Sequence, residues 1–142
     1  MGSVNTTRVI MGGIAAGILI YFFEGLVHMG LLHHDWEAWK TSVGAVIHGP
    51  AKDISMALWF VYSIISGLLG LWIYAGIRPR YGAGPRTAIY AGFLLWAATH
   101  FTAALDAFAM GVIPHKIVVT ELACMALLMP VAILVGAYLY KE

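Results

Sequence analysis

Four long apolar runs, at residues 9–32, 54–77, 87–112 and 117–140, take up most of this 142-residue chain. Each exceeds the ~20 residues that a helix needs to cross ~30 Å of hydrocarbon. Inside hydrocarbon no water is present to bond backbone N–H and C=O groups, so each run has to satisfy its own backbone, as a helix does. The expected fold is therefore all-α, an integral membrane four-helix bundle forming a single transmembrane domain over residues 1–142. Composition agrees: 61% of residues are hydrophobic and 11% charged, against about 45–50% and about 25% in soluble domains. A formal net charge of +1 leaves no basic face for nucleic acid. The single cysteine, Cys124, forms no intrachain disulfide and fits no Cys-based zinc spacing. The first run is far longer than the ~7–15 residues of a signal-peptide core, and it reads as a retained span.

The connections differ in length and charge. Residues 33–53 form a longer loop, 78–86 (RPRYGAGPR) a Pro/Gly turn and 113–116 (IPHK) a tight one. All eight basic residues lie outside the spans. Arg8, Arg78, Arg80, Arg86 and Lys141 fall on one side, and Lys40, Lys52 and Lys116 on the other. The positive-inside rule then places both termini and the arginine turn in the cytoplasm. In the outer loop Trp36, Trp39, Val43 and Ile47 recur at roughly helical spacing before His48-Gly49-Pro50, as in a short interfacial helix with its indoles at headgroup level. A Trp-anchored connecting segment explains that pattern better than a substrate lid. Arg8 and Arg86 precede the odd-numbered spans, and Pro50-Ala51-Lys52 and Pro114-His115-Lys116 the even-numbered ones. That faint repeat is compatible with two tandem helical hairpins.

Three charged residues lie inside the spans, and all are acids: Glu24, Asp106 and Glu121. His28 and His100 join them. A carboxylate at mid-bilayer costs roughly 2.5–3.5 kcal/mol on insertion scales, and no Lys or Arg within the spans is placed to pair with it. Each buried acid must be protonated, hydrogen-bonded to histidine or neutralised by a bound cation. A rise of ~1.5 Å per residue puts Glu24 and His100 at ~22 and ~20 Å from the cytoplasmic ends, and His28, Asp106 and Glu121 at ~28 Å. Glu24 and His28 share a face that continues through Gly17 and Gly13, a close-packing pattern. His100 shares its stripe with Ala103, Ala104 and Ala107, while Asp106 points ~120° away. Asp106, His115, His33, His34 and Asp35 read as solvated interfacial groups. Met110, Met125 and Met129 read as gap-filling core.

Several chemistries suit this cluster. Glu24, His28, His100 and Glu121 together offer mixed N/O ligands for a Zn, Mn or Fe ion, although the Glu-x-x-His pattern of di-metal bundles is absent. Haem b on His28 and His100 is disfavoured by their ~8 Å difference in depth, and Glu24 with His28 reads somewhat more readily as a structural hydrogen bond than as a ligand or proton-handling pair. A proton-handling redox role is the alternative, but no line of ionisable groups reaches the cytoplasmic end. No nucleotide loop, serine elbow or HExxH motif occurs. The small-residue faces Gly13/Gly17 and Ala132/Gly136 suit packing against a partner. The chain thus reads as a binding or accessory subunit rather than an enzyme, in a homo-oligomer or a larger membrane complex.

Residues 71–88, LWIYAGIRPRYGAGPRTA, resemble the central turn motif of a group of small, uncharacterised bacterial four-helix membrane proteins, WxYAxIRPR(F/Y)GxGP(K/R)TA. The resemblance extends to the opening RVIMGGIAAGILI and the closing VGAYLYKE. It implies a bacterial inner-membrane location and four helices, and no activity. Physically, Pro79 and Pro85 are expected to stop two helices and Gly82 and Gly84 to permit the reversal. Arg78, Arg80 and Arg86 would meet an anionic lipid surface or a partner.

Overall fold

A computed structural model describes residues 4–44 and 52–140 of the chain. The described residues are almost wholly helical. Helix α1 (Thr6–Gly25) starts at Asn5, whose side chain accepts the Arg8 N–H at 3.1 Å, and runs straight into a π-helical segment, Leu26–Leu31. After α2 (His33–Val43) and α3 (Lys52–Tyr81) come α4 (Pro85–Trp96), a second π-helical segment (Ala97–Phe101) and α5 (Thr102–Met110). Helix α6 (His115–Tyr138) completes the chain. Four stretches are long and apolar enough to cross a membrane: Thr6–Leu31, Asp53–Tyr81, Pro85–Met110 and His115–Tyr138. The molecule is an all-α bundle with the composition of an integral membrane protein.

The four long helices form a closed ring in which α1 packs on α3, α3 on α4, α4 on α6 and α6 on α1. Contact is most extensive within the pairs α1/α3 and α4/α6. Small residues set these distances. A Cβ on Gly67 of α3 would collide with the backbone of Gly13 and Gly17, and one on Gly136 of α6 would stand 2.5 Å from the Gly12 carbonyl oxygen. Gly92 of α4 lies directly against Pro130 of α6. The Gly13/Gly17 and Ala132/Gly136 faces, expected to be offered to a partner, are consumed by packing within the chain.

Three local expectations are corrected. Pro79 does not stop its helix, because α3 continues to Tyr81. A proline so close to the C-terminal end removes only one bond of the last turn, and the chain reverses at Gly82 and Gly84, with φ of 84° and 133°. Pro85 stands at the first turn of α4, where its missing N–H leaves nothing unsatisfied. The expected stripe of His100 with Ala103, Ala104 and Ala107 survives only at Ala104. The wider turn at Ala97–Phe101 shifts the helical phase and leaves Ala103 exposed. Met110, expected in the core, is 62% exposed one residue before the left-handed cap at Gly111, whereas Met125 and Met129 are fully buried.

The arginine turn is held from inside. Thr87 Oγ1 donates to the Gly82 carbonyl at 2.7 Å, and the Gly84 N–H donates to the Tyr74 hydroxyl at 3.3 Å. Arg80 and Arg86 are exposed, with Arg86 Nε donating to the Tyr90 hydroxyl, while half-buried Arg78 lies over the Tyr140 ring. Ile47, His48 and the Pro50-Ala51 step of the proposed repeat fall outside the described residues, as does Lys141.

The α1/α3 contact yields a direct test. Gly67→Ala places a methyl against the Gly13 and Gly17 backbone, so overpacking is expected to lower stability by roughly 1–3 kcal/mol. The same change at Gly76, whose Cβ position is open, is expected to leave it unchanged. Unfolding midpoints in detergent check both.

Candidate functional site

The four residues singled out by charge and depth, Glu24, His28, His100 and Glu121, come together inside the bundle. Glu24 and His28 stand one turn apart on the first span, His100 lies in the π-helical segment of the third and Glu121 in the second turn of α6. Helices α1 and α4 sit diagonally in the ring, so the Glu24–His100 contact bridges the middle of the bundle. His100 Nε2 is 2.9 Å from Glu24 Oε1, and His28 Nε2 is 3.2 Å from Glu24 Oε2. His28 Nε2 also stands 3.8 Å from Glu121 Oε1. The expected ~8 Å step between the two histidines is absent, since both rings meet one carboxylate. An ideal rise along straight helices ignores the two π-helical segments that carry these rings, and it ignores side-chain reach.

Burial grades across the cluster. The side chain of His100 is 4% exposed, that of Glu24 11% and that of Glu121 31%. On its lipid-facing flank Glu24 borders an apolar groove of about 210 Å³ between α1 and α3, walled by Tyr21, Phe22, Leu26, Met29 and Trp59. Glu121 is the more open carboxylate, and it lies near the N-terminal end of α6. Asp106 is exposed and stands apart from the cluster.

The hydrogen-bond partner of His28 assigns its ring nitrogens. An indole N–H can only donate, and Trp36 Nε1 donates to His28 Nδ1 at 2.9 Å, so the proton of a neutral His28 is on Nε2, facing the carboxylates. On the other side Thr99 Oγ1 stands 2.8 Å from the Leu95 carbonyl oxygen and 2.9 Å from His100 Nδ1, and its hydroxyl can bond that nitrogen in either tautomer of the ring. The 2.9 Å contact between His100 Nε2 and Glu24 Oε1 holds a proton in the metal-free protein, and a cation bound there would take that proton's place. The result is a continuous chain, Trp36–His28–Glu24–His100–Thr99–Leu95, closed at one end by an indole and at the other by a backbone carbonyl.

Glu24, His100 and Glu121 each present a ligand atom, all within 4.8 Å of one another. Ligands held at ~2.0–2.2 Å from one ion stand no more than ~4.4 Å apart. The buried pair already meets that limit, and the half-exposed Glu121 side chain has room to swing. Bis-histidine haem is not accommodated, because the Glu24 carboxylate stands between the two imidazoles where an iron would have to lie.

Trp36 was expected only to anchor a loop, and the sequence signals its role in the site no further than by the helical spacing of the loop. Helix α2 lies across the end of the bundle and is tied there by Trp36 on His28, by Trp39 Nε1 donating to the Val112 carbonyl at 2.8 Å and by Lys116 with Asp35 at 2.8 Å. On the exposed side of α2, Lys40 at 3.1 Å holds the Glu37 carboxyl below its ordinary pKa. In this same region His33, His34 and His115 are exposed and Asp35 is half-buried. No known protein family, curated protein or solved structure matches the chain.

The donor assignment makes a stability prediction. In Glu24→Gln the amide oxygen can accept from His28 and the amide N–H can donate to His100, so stability should stay within about 1 kcal/mol of the native chain. Glu24→Ala strands two buried imidazoles and should cost roughly 3–5 kcal/mol. Denaturant unfolding of both variants is the check, and a glutamine variant as unstable as the alanine variant would contradict this bonding pattern.

Proposed function

We propose that this chain is a small integral-membrane binding protein whose buried cluster holds one divalent transition-metal ion. Glu24, His100 and Glu121 act as ligands, and His28 steadies Glu24. The observation that carries this reading is His100 Nε2 set 2.9 Å from a buried carboxylate, with a second carboxylate in reach. A cation there neutralises acids that no Lys or Arg inside the spans accompanies, which a membrane interior otherwise penalises. Thr99 would fix the ligating tautomer of His100 through Nδ1, as an oxygen acceptor commonly does for a metal-bound histidine. Imidazole with carboxylates suits Zn, Mn or Fe.

The apolar flank of Glu24 gives a hydrated ion no route. The half-exposed Glu121 faces the end covered by α2, and that end is the access side in this reading. In the orientation that the positive-inside rule favours, with the arginine turn and both termini in the cytoplasm, the metal would arrive from the opposite face. Thiol labelling of single cysteines placed in α2 and in the 82–84 turn tests that orientation: α2 should react from outside the cell and the turn only after permeabilisation.

Protein purified in mild detergent is expected to bind about one Zn²⁺, Mn²⁺ or Fe²⁺ per chain, measurable by elemental analysis after dialysis and by titration calorimetry. Glu24→Gln, expected to fold, should weaken binding by more than the ~10–100-fold that removal of an outer hydrogen-bond partner costs a metal site. Native protein that stays metal-free across these ions while remaining folded would refute the metal centre.

A further inference from the structure

Histidine count decides which cations a mixed site prefers, since imidazoles favour Zn²⁺ and Cu²⁺ and carboxylates favour Mn²⁺. Two histidines border the Glu24 carboxylate here, and their outer nitrogens have different partners. His100 Nδ1 faces a hydroxyl, which can accept as well as donate and so allows Nε2 to bind a cation. His28 Nδ1 faces an indole N–H that only donates, which keeps the proton on Nε2 and turns a potential ligand into a donor. This arrangement is built into the fold. The His28 ring stacks on Trp59 at 5.6 Å between centroids, Trp36 packs edge-on against Trp39 at 5.4 Å, and Trp39 is bonded to the Val112 carbonyl. The Lys116–Asp35 pair ties the same helix down beside Trp36.

We propose that Trp36 is the specificity-determining residue of the cation centre: by donating to His28 Nδ1 it withholds the second imidazole, leaving one imidazole and two carboxylates that take Mn²⁺-like, oxygen-preferring cations. This assignment rests on the metal-centre reading and narrows it. Removing the indole N–H while keeping an aromatic ring, as in Trp36→Phe, frees His28 to carry its proton on Nδ1. Its Nε2, already 3.2 Å from Glu24 and 3.8 Å from Glu121, then becomes a ligand. The centre changes from one imidazole to two, and its preference moves toward Zn²⁺.

Two measurements test the proposal separately from the existence of the centre. In metal-free protein carrying ¹⁵N-labelled histidine, the His28 ring should show a protonated Nε2 and an unprotonated Nδ1, and Trp36→Phe should abolish that pattern. With Mn²⁺ bound, pulsed electron paramagnetic resonance should count one coordinated imidazole in the native chain and two in Trp36→Phe. The affinity for Zn²⁺ relative to Mn²⁺ should rise in that variant on the order of tenfold. The gain should vanish in the Trp36→Phe/His28→Ala double variant, which attributes it to His28. A protonated Nδ1 or two coordinated imidazoles in the native protein would overturn the proposal, and so would an unchanged Zn²⁺/Mn²⁺ ratio in folded Trp36→Phe. If Trp36→Phe does not fold, the native tautomer and the native imidazole count still decide it. Native protein that binds no cation removes the metal centre and the donor set with it, while the ring tautomer continues to judge the Trp36–His28 bond alone.

Discussion

A carboxylate inside an apolar bundle has to be satisfied by something, and the middle of this molecule is organised around satisfying Glu24. Its two oxygens take two imidazoles from opposite directions, one from its own helix and one from the helix diagonally across the ring. In hydrocarbon a polar group without a partner costs several kcal/mol, so the arrangement constrains the crossing of α1 past α4 as firmly as apolar packing does. Each imidazole is in turn fixed by its other nitrogen, through Trp36 on one side and Thr99 on the other.

Bringing diagonal helices close enough for that contact depends on what the neighbouring helices lack. Glycine at positions 12, 13, 17, 67 and 136 removes the side chains that would hold α1 away from α3 and α6. The two π-helical segments do the complementary work. Each widens one turn in an odd-numbered span, at Leu26–Leu31 and Ala97–Phe101, and each carries one of the two histidines. Wide turns of this kind commonly accompany functional residues because they re-aim a side chain without ending the helix. Their recurrence in the first and third spans is consonant with a pair of helical hairpins built on one plan.

The acidic and histidine members of the cluster were legible because charge inside an apolar run has no other ready explanation. The same reasoning separated Asp106, near the end of its span, from Glu24 and Glu121. What escaped was phase and depth. Straight-helix arithmetic set His28 and His100 in different layers and placed Ala103 and Met110 on buried stripes, because nothing in AATHF or LVHMGL marks a widened turn. The small-residue faces were recognised as close-packing surfaces, but not the helices they pack on, α3 for Gly13 and Gly17 and α1 for Gly136. Trp36 read as an interfacial anchor, since an indole in a loop next to a membrane usually is one.

Sequence by itself determined that this chain is helical, that it has four segments able to span a bilayer and that Glu24, His28, His100 and Glu121 stand inside those segments and need partners. Those conclusions follow from length, hydropathy and the cost of burying charge, all of which are local properties of the chain. Tertiary structure decided which of these groups face each other, which nitrogen of the His28 ring accepts and that α2 reaches back to the site. A hydrogen bond between residues 24 and 100, or one from an indole to a ring on the preceding helix, depends on helix phase and approach to within about an ångström. Such precision arises only when glycine contacts, widened turns and the docked helix act together.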